Sequence, residues 1–141
     1  MQLSEHFSLA ELTVTLTGLT NLPSAKEYEN LVYTVQRMEV VRAICGNHPI
    51  SVSSGYRCPA VNTAAGGAPT SAHLTGFAVD FIVPGFDNDV ICRKLWYAGM
   101  EFDQLISEVK GQDRWIHISF APENRREWLK SIDGKYEVQH G

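Results

Sequence analysis

A charged residue inside an apolar segment constrains the fold of this chain most strongly. Residues 77–83 read Phe-Ala-Val-Asp-Phe-Ile-Val, a run typical of a buried β-strand, and Asp80 stands at its centre. Alternation along the strand puts Phe77, Val79 and Phe81 on one face and Asp80 on the other. A buried carboxylate needs a cation or several hydrogen-bond donors as partners. The fold must therefore bring such partners to this strand.

A second predicted strand, residues 115–120, also mixes apolar and polar positions. Its sequence Trp-Ile-His-Ile-Ser-Phe puts Ile116, Ile118 and Phe120 on the core face and His117 on the opposite face. A single histidine in a strand is more often a hydrogen-bonded core residue than a metal ligand. The interpretation changes only when His117 is considered together with other polar residues of the chain.

Two imidazoles and one carboxylate, from His73, His117 and Asp80, form the smallest ligand set of a catalytic zinc site. His73 lies in the loop before the strand that carries Asp80. Calcium and magnesium require more oxygen ligands, so we expect zinc as the cofactor, with one ion per chain. Zinc in such a site activates water for hydrolysis, and the water needs a carboxylate base nearby.

The candidate base is Glu108, at the end of a predicted strand formed by residues 102–108. The polar connection Lys-Gly-Gln-Asp-Arg can return the chain so that this strand lies beside the strand of His117. Asp113 is the alternative base, since it is nearer to His117 in sequence, although the pattern puts it in a solvated turn. Without a metal site, Glu108 is equally well interpreted as an exposed charge at a strand end.

The remaining pattern predicts one α+β domain with a small, mostly antiparallel sheet and flanking helices. Ser8 with Glu11, and Ser24 with Glu27, are capping-box signatures that predict a short first helix and a longer main helix. An apolar stripe at helical spacing follows within the main helix, at Leu31, Val35, Met38, Val41 and Cys45. A further helix is expected after Asp87.

The 141 residues suit a single domain, within which we distinguish three segments. Residues 1–23 are expected to form an N-terminal helix and loop, and residues 24–120 the catalytic core. Residues 121–141 are a charged tail, in which Trp128, Leu129 and Ile132 suggest a last helix that docks on the core.

Composition and charge exclude several classes of partner. The chain has 12 Lys and Arg against 16 Asp and Glu, a net charge of −4, and no basic tract, so we expect neither nucleic acid nor an anionic membrane surface. No segment approaches the roughly 20 apolar residues of a membrane span. The three cysteines include no Cys-x-x-Cys pair, which argues against a disulfide framework. We expect a monomer.

The first residues predict where the protein is made. Glu5 and Glu11 interrupt the N-terminal segment, and no basic region leads into a continuous apolar stretch, so the sequence predicts no signal peptide. We therefore expect synthesis in the cytoplasm, and action outside it only after release by another factor.

One ten-residue segment resembles a known family. Ser71-Ala-His73-Leu-Thr-Gly-Phe-Ala-Val-Asp80, followed later by Trp-Ile-His117, is similar to the motifs of the zinc D-alanyl-D-alanine carboxypeptidase family. That family includes D-Ala-D-Ala dipeptidases and phage L-alanyl-D-glutamate endopeptidases, and it shares its fold with the hedgehog signalling domain. The resemblance implies that His73, Asp80 and His117 bind the zinc ion.

Two further segments extend the resemblance. Ser54-Gly-Tyr-Arg57, followed by Asn62, is similar to the family motif SGYR…N, whose arginine binds substrate and stabilises developing negative charge. That role falls on Arg57. Residues 102–108 resemble the strand that brings the catalytic glutamate in the hedgehog-like branch, which favours Glu108 over Asp113.

The chain departs from the family pattern at two places. Carboxypeptidases of the family often carry the base or an extra histidine just before the second zinc-binding histidine, where this chain has Arg114 and Trp115. Cys58 replaces a small residue such as serine, and we interpret it as a packed thiol.

Ser71 has two equal interpretations, since its hydroxyl can bind substrate or cap its own loop.

The resemblance implies a zinc-dependent peptidase that hydrolyses peptidoglycan stem peptides at the bacterial cell wall. Residues 3–12 are also similar to the start of short phage and prophage members, which favours a lytic endopeptidase of the endolysin type. A D-Ala-D-Ala carboxypeptidase is one alternative. A non-catalytic zinc-stabilised module that binds cell wall or belongs to a virion is the other.

Overall fold

Six strands and four α-helices form the architecture of this computed structural model, which describes residues 1–140. The helices are α1 (Leu9–Leu12), α2 (Ala25–Ile44), α3 (Pro59–Ala64) and α4 (Asn88–Tyr97), and a 3₁₀ helix spans Ala72–Thr75. The strands are β1 (Ser51–Ser54), β2 (Ala78–Ile82), β3 (Gln104–Lys110), β4 (Asp113–Ser119), β5 (Glu127–Ile132) and β6 (Lys135–Val138). The expected α+β class, with helices against a mostly antiparallel sheet, is confirmed.

The strands form one sheet in the order β1-β2-β4-β3-β5-β6. All neighbouring pairs are antiparallel except β3 and β5, which run parallel. The β3–β4 connection is a two-residue hairpin, so β3 returns directly beside β4 as the sequence predicted. Strands β2 and β4 each have a neighbour on both sides, and they therefore lie inside the sheet.

One face of the sheet is covered by helices and carries the hydrophobic core. The predicted stripe of α2 is completely buried there, and it meets Ile91 and Leu95 of α4. From the sheet, Val79 and Phe81 of β2 and Ile118 of β4 point into the same core. Asp80 and His117 alternate with these residues, so both side chains project from the opposite face.

The two predicted helix starts have different outcomes. Ser8 and Glu11 form a complete capping box before α1. Ser24 is the N-cap residue of α2, as predicted, but its side chain makes no hydrogen bond to the helix backbone. It donates instead to the carboxylate of Glu27, so this pair is a side-chain contact and not a capping box.

The predicted last helix in the C-terminal segment is wrong, because this segment forms the hairpin of β5 and β6. Trp128 and Leu129 are buried as expected, but as strand residues, whereas Ile132 is 46% exposed. Asp133 and Gly134 both have positive φ, which is the conformation that a two-residue hairpin turn requires. Strand β5 pairs with the outer edge of β3, so the segment is part of the sheet.

None of the helices in residues 1–140 combines the length and the hydrophobicity that a bilayer crossing demands.

Candidate metal centre

His73, Asp80 and His117 converge on the open face of the sheet. Asp80 of β2 and His117 of β4 are direct cross-strand partners, and His73 lies in the 3₁₀ helix that precedes β2. The Oδ1 atom of Asp80 lies 3.1 Å from Nε2 of His73 and 2.9 Å from Nδ1 of His117. The potential ligand atoms of the three residues all lie within 4.8 Å of one another, close enough to share one metal ion. The structure thus brings together all three predicted ligands.

The 3₁₀ helix holds His73 through contacts of its backbone and its ring. The hydroxyl of Ser71 accepts a hydrogen bond from the His73 amide at 3.2 Å, and the His73 carbonyl accepts one from the Arg57 amide at 3.0 Å. The ring atom Nδ1 lies 2.6 Å from the carbonyl oxygen of Gly55. Because a carbonyl only accepts, Nδ1 carries the hydrogen, which is the usual support of a metal-binding histidine.

The arrangement of His73 and Asp80 fits a cation between them. Burial lowers the pKa of His73, against the opposing effect of the Asp80 charge, so the neutral ring is favoured. With its hydrogen on Nδ1, the neutral ring directs the lone pair of Nε2 towards the carboxylate of Asp80. Two acceptors that face each other need a positive charge between them. Two nitrogen atoms and one oxygen atom are also a donor set that zinc prefers.

Asp80 is ionised in this environment. Burial disfavours its charge, but the influence of the two neighbouring imidazoles outweighs that effect and holds its pKa far below the usual range. For His117, burial acts to lower the pKa, but the hydrogen bond and the charge of Asp80 raise it. The site therefore presents a carboxylate where a divalent cation would be bound.

Arg57 lies beside the three residues and is held on three sides. Its NH2 donates to Oδ2 of Asp80 at 3.3 Å, its Nε to the hydroxyl of Ser54 at 3.0 Å, and its NH1 to Oδ1 of Asn62 at 3.4 Å. The Arg57 side chain lines the groove and remains 14% exposed. It lies next to the three predicted ligands, and its contact with Asp80 adds a partner that the sequence did not reveal.

The loop after α3 packs closely against Arg57. A Cβ atom at Gly67 would lie 2.0 Å from Oδ1 of Asn62 and 2.9 Å from NH1 of Arg57. Only glycine permits this approach. Asn62 is itself buried, and its amide donates to the carbonyl of Ala68 at 2.9 Å. The motif residues Arg57 and Asn62 are thus parts of one rigid corner.

Glu108 lies in the same groove as the three residues. In the register of β3 and β4, Glu108 is opposite Trp115 and Ile106 is opposite His117, so Glu108 and His117 share a face. Trp115 Nε1 donates to Oε2 of Glu108 at 2.9 Å. Burial raises the pKa of Glu108, and the charge of Asp80 adds to the effect, whereas His117, Trp115 and Arg57 oppose it.

The alternative base Asp113 has a different position. It is the first residue of β4, its side chain is exposed, and it lies outside the lining of the groove. Ser71 does line the groove, with its hydroxyl engaged by the His73 amide.

The groove has a volume of about 1130 Å³ and runs across the strands. One wall is the loop that connects α3 to the 3₁₀ helix, including Gly67 and Ser71. The other wall comes from the C-terminal segment and includes Arg125 and Tyr136. This second wall was not predicted from the sequence, because residues 121–141 were interpreted as a charged tail. The pair Asp133-Gly134 between two β-prone runs was the signal that predicts the hairpin.

An α+β domain with two imidazoles and a carboxylate in an open groove is the arrangement of a mononuclear metal enzyme. The model of the Peptidase M15 family matches residues 5–119, and the chain therefore belongs to this family. Its membership implies a zinc metallopeptidase, and the His73, Asp80 and His117 group is compatible with the zinc ion that these peptidases use. No curated protein gives a significant match to the chain.

Proposed function

We propose that the protein is a zinc-dependent peptidase that hydrolyses peptidoglycan stem peptides, with His73, Asp80 and His117 as ligands of one zinc ion. The observation that carries the proposal is the convergence of these three side chains in the groove that also holds Glu108 and Arg57. When bound, zinc supplies a Lewis acid that activates water and polarises the scissile carbonyl. Membership of the Peptidase M15 family supports a peptide substrate of the cell-wall type.

Glu108 is the general base of the proposed mechanism. Its Oε2 accepts the hydrogen bond from Trp115, which orients the carboxylate and leaves lone pairs to receive the proton of the attacking water. The same carboxyl group then delivers the proton to the leaving amine. A raised pKa suits this second step, because it brings the pKa of Glu108 closer to the working pH and lets the carboxyl group both take up and release the proton there.

Arg57 is the proposed anion-binding residue. Its contacts with Ser54, Asn62 and Asp80 fix the guanidinium plane, so its remaining N–H groups are oriented before substrate arrives. They can stabilise the developing oxyanion or pair with a carboxylate of the substrate. Ser71 is an additional substrate contact at the groove wall.

A paired set of variants tests the role of the base. Glu108→Gln is expected to retain one zinc per chain and the native fold but to lose at least about a hundredfold in activity on purified cell walls, since the amide accepts no proton. Asp113→Asn is the matched control and keeps its activity. The opposite ranking would move the base to Asp113, and full activity of both variants would reject the mechanism.

Metal analysis tests the ligand set independently of activity. We expect His73→Ala and His117→Ala to lose the zinc that the unmodified protein retains, because two remaining ligands hold the ion poorly. Full zinc retention in both variants would end the assignment. A zinc-loaded protein without hydrolytic activity would instead support a non-catalytic cell-wall-binding or virion module.

The proposed bond is L-Ala–D-Glu, as in a phage or prophage lytic endopeptidase. Arg57 can pair with the α-carboxylate of D-Glu or with a terminal D-Ala carboxylate, so its charge alone does not choose between them. Lysis requires separation of the sugar strand from the cross-link, which removal of a terminal D-Ala does not achieve. Mass spectrometry of a digested disaccharide-pentapeptide tests this. A disaccharide that still carries L-Ala supports the proposal, and release of a single alanine indicates a carboxypeptidase.

A further inference from the structure

The groove continues beyond the metal centre along a row of side chains on the open face of the sheet. Trp115 of β4 is opposite Glu108 of β3, Glu108 is beside Ser131 of β5, and Ser131 is opposite Tyr136 of β6. Residues paired in this way share a face, so the row leads from the base to the edge strand. All four residues line the groove.

The sizes of these side chains create a depression next to the base. Ser131 is small and 4% exposed, whereas Tyr136 is large and 61% exposed. The tyrosine ring therefore rises above the floor formed by Ser131. An exposed aromatic ring beside a small floor residue offers an apolar face and a polar edge to a ligand lying in the groove.

The distance from the metal centre to Tyr136 sets a minimum length for such a ligand. From β4, which carries His117, to β6, three strand spacings amount to about 14 Å. An extended peptide covers at most about 3.3–3.6 Å per residue, so a dipeptide covers only about 7 Å. A ligand bound at the centre has to extend about four residue lengths to reach the ring.

We propose that Tyr136 is a substrate-positioning residue that binds the part of an extended stem peptide, or of its attached sugar, about four residue lengths from the scissile bond. The inference rests on the proposed function and deepens it, since it makes the substrate a long stem-peptide chain and excludes free dipeptides as good substrates. The β5–β6 hairpin lies outside residues 5–119, so this subsite belongs to the part of the chain beyond the family match.

Binding measurements test the subsite without turnover. Zinc-loaded Glu108→Gln protein serves as the parent, and calorimetry gives its Kd for a disaccharide-pentapeptide, for the free pentapeptide and for the dipeptide D-Ala-D-Ala. We expect Tyr136→Ala in this background to raise the Kd of the disaccharide-pentapeptide about tenfold, as loss of one aromatic contact does. The Kd of the dipeptide should change less than about twofold, because the dipeptide ends short of the ring.

Two controls separate this effect from damage to the fold. Tyr136→Phe retains the ring and should bind like the parent. Tyr97→Ala removes a tyrosine of similar exposure, 66%, from α4 outside the groove lining, and should also bind like the parent. Zinc content and thermal unfolding confirm that each variant is folded.

The outcomes distinguish the inference from the function on which it rests. A tenfold effect on both long probes assigns the contact to the peptide, and an effect on the disaccharide-pentapeptide alone assigns it to the sugar. Equal Kd values for parent and Tyr136→Ala, an equal loss for the dipeptide, or no binding of either long probe would overturn the inference. Failure of the proposed function has another signature, since the unmodified zinc-loaded protein would then leave the disaccharide-pentapeptide intact.

Discussion

Asp80 uses its two carboxylate oxygens for different partners. Oδ1 faces both imidazole nitrogens, and Oδ2 accepts the hydrogen bond from Arg57. A carboxylate held in this way would offer one oxygen to a metal ion and keep the other for the guanidinium group. Arg57 therefore has two roles in the proposed site, since it binds substrate and also orients a metal ligand.

The hydrogen bond between Trp115 and Glu108 predicts a shift in the pH profile. The indole N–H stabilises the charged carboxylate and so opposes the increase in pKa that burial causes. Trp115→Phe removes this donor and keeps an aromatic ring. The pKa of Glu108 should rise further, so the acid limb of the pH profile of kcat/KM should move to higher pH.

The direction of this shift in the pH profile follows from the protonation state that a general base needs. A base works only when deprotonated, so a higher pKa removes activity at acid pH and spares the alkaline plateau. The measurement compares kcat/KM of both proteins across the acid range on one defined stem peptide. An unmoved acid limb, or a uniform loss at every pH, would contradict the role given to this hydrogen bond.

At the level of elements, local patterns predicted most of the fold. The apolar stripe of α2 and the alternation in β2 and β4 depend on neighbouring residues in sequence, and the sequence shows them directly. The C-terminal strands depend on a distant partner, because β5 forms along the edge of β3. Sequence periodicity carries no information about that pairing, and a helix was predicted there because the turn signal of Asp133 and Gly134 was not used.

The same difference between local patterns and long-range strand pairing applies to the candidate site. His73, Asp80 and His117 were predicted from a motif and from strand faces. The bond from Trp115 to Glu108 requires the register between β3 and β4, which the sequence alone does not specify. The Tyr136 wall requires the hairpin and was missed for that reason.

The loop after α3 offers a prediction at the scale of an element. Gly67→Ala places a methyl group against the Asn62 amide and the Arg57 guanidinium, and one of them must move. We expect kcat/KM to fall by about tenfold or more while the zinc content stays at one per chain, because the arginine loses its orientation.

Gly85→Ala is the matched control for this loop variant. Gly85 has positive φ, so alanine there costs about 1 kcal/mol of stability, but no atom lies within 4 Å of its new Cβ. Its activity per bound zinc should equal that of the unmodified protein. Equal activity of Gly67→Ala would show that Arg57 tolerates movement of this loop.

For the whole molecule, the zinc ion is expected to stabilise the fold. Its ligands come from β2, β4 and the 3₁₀ helix, which are assembled only in the folded chain. Ligand binding to the folded state alone increases the free energy of unfolding by about 2.7 kcal/mol at a zinc concentration of about 100 Kd. Urea unfolding with added zinc and with a chelator measures this difference.

His117→Ala should show no such response to zinc, and His48→Ala should respond like the unmodified protein, because His48 is exposed and lies outside the groove. An unfolding free energy that is the same with zinc and with chelator in the unmodified protein would contradict metal binding by the folded chain.

The direct pairing of Asp80 with His117 also links the metal to the accuracy of folding. Side chains alternate between the two faces of a sheet, so a slip of one residue between β2 and β4 would send one of these ligands into the core and leave the other in the groove. A misaligned chain would therefore be unable to capture the ion. Metal content would thus report strand alignment, because only molecules with the native register of β2 and β4 bring the three predicted ligands together.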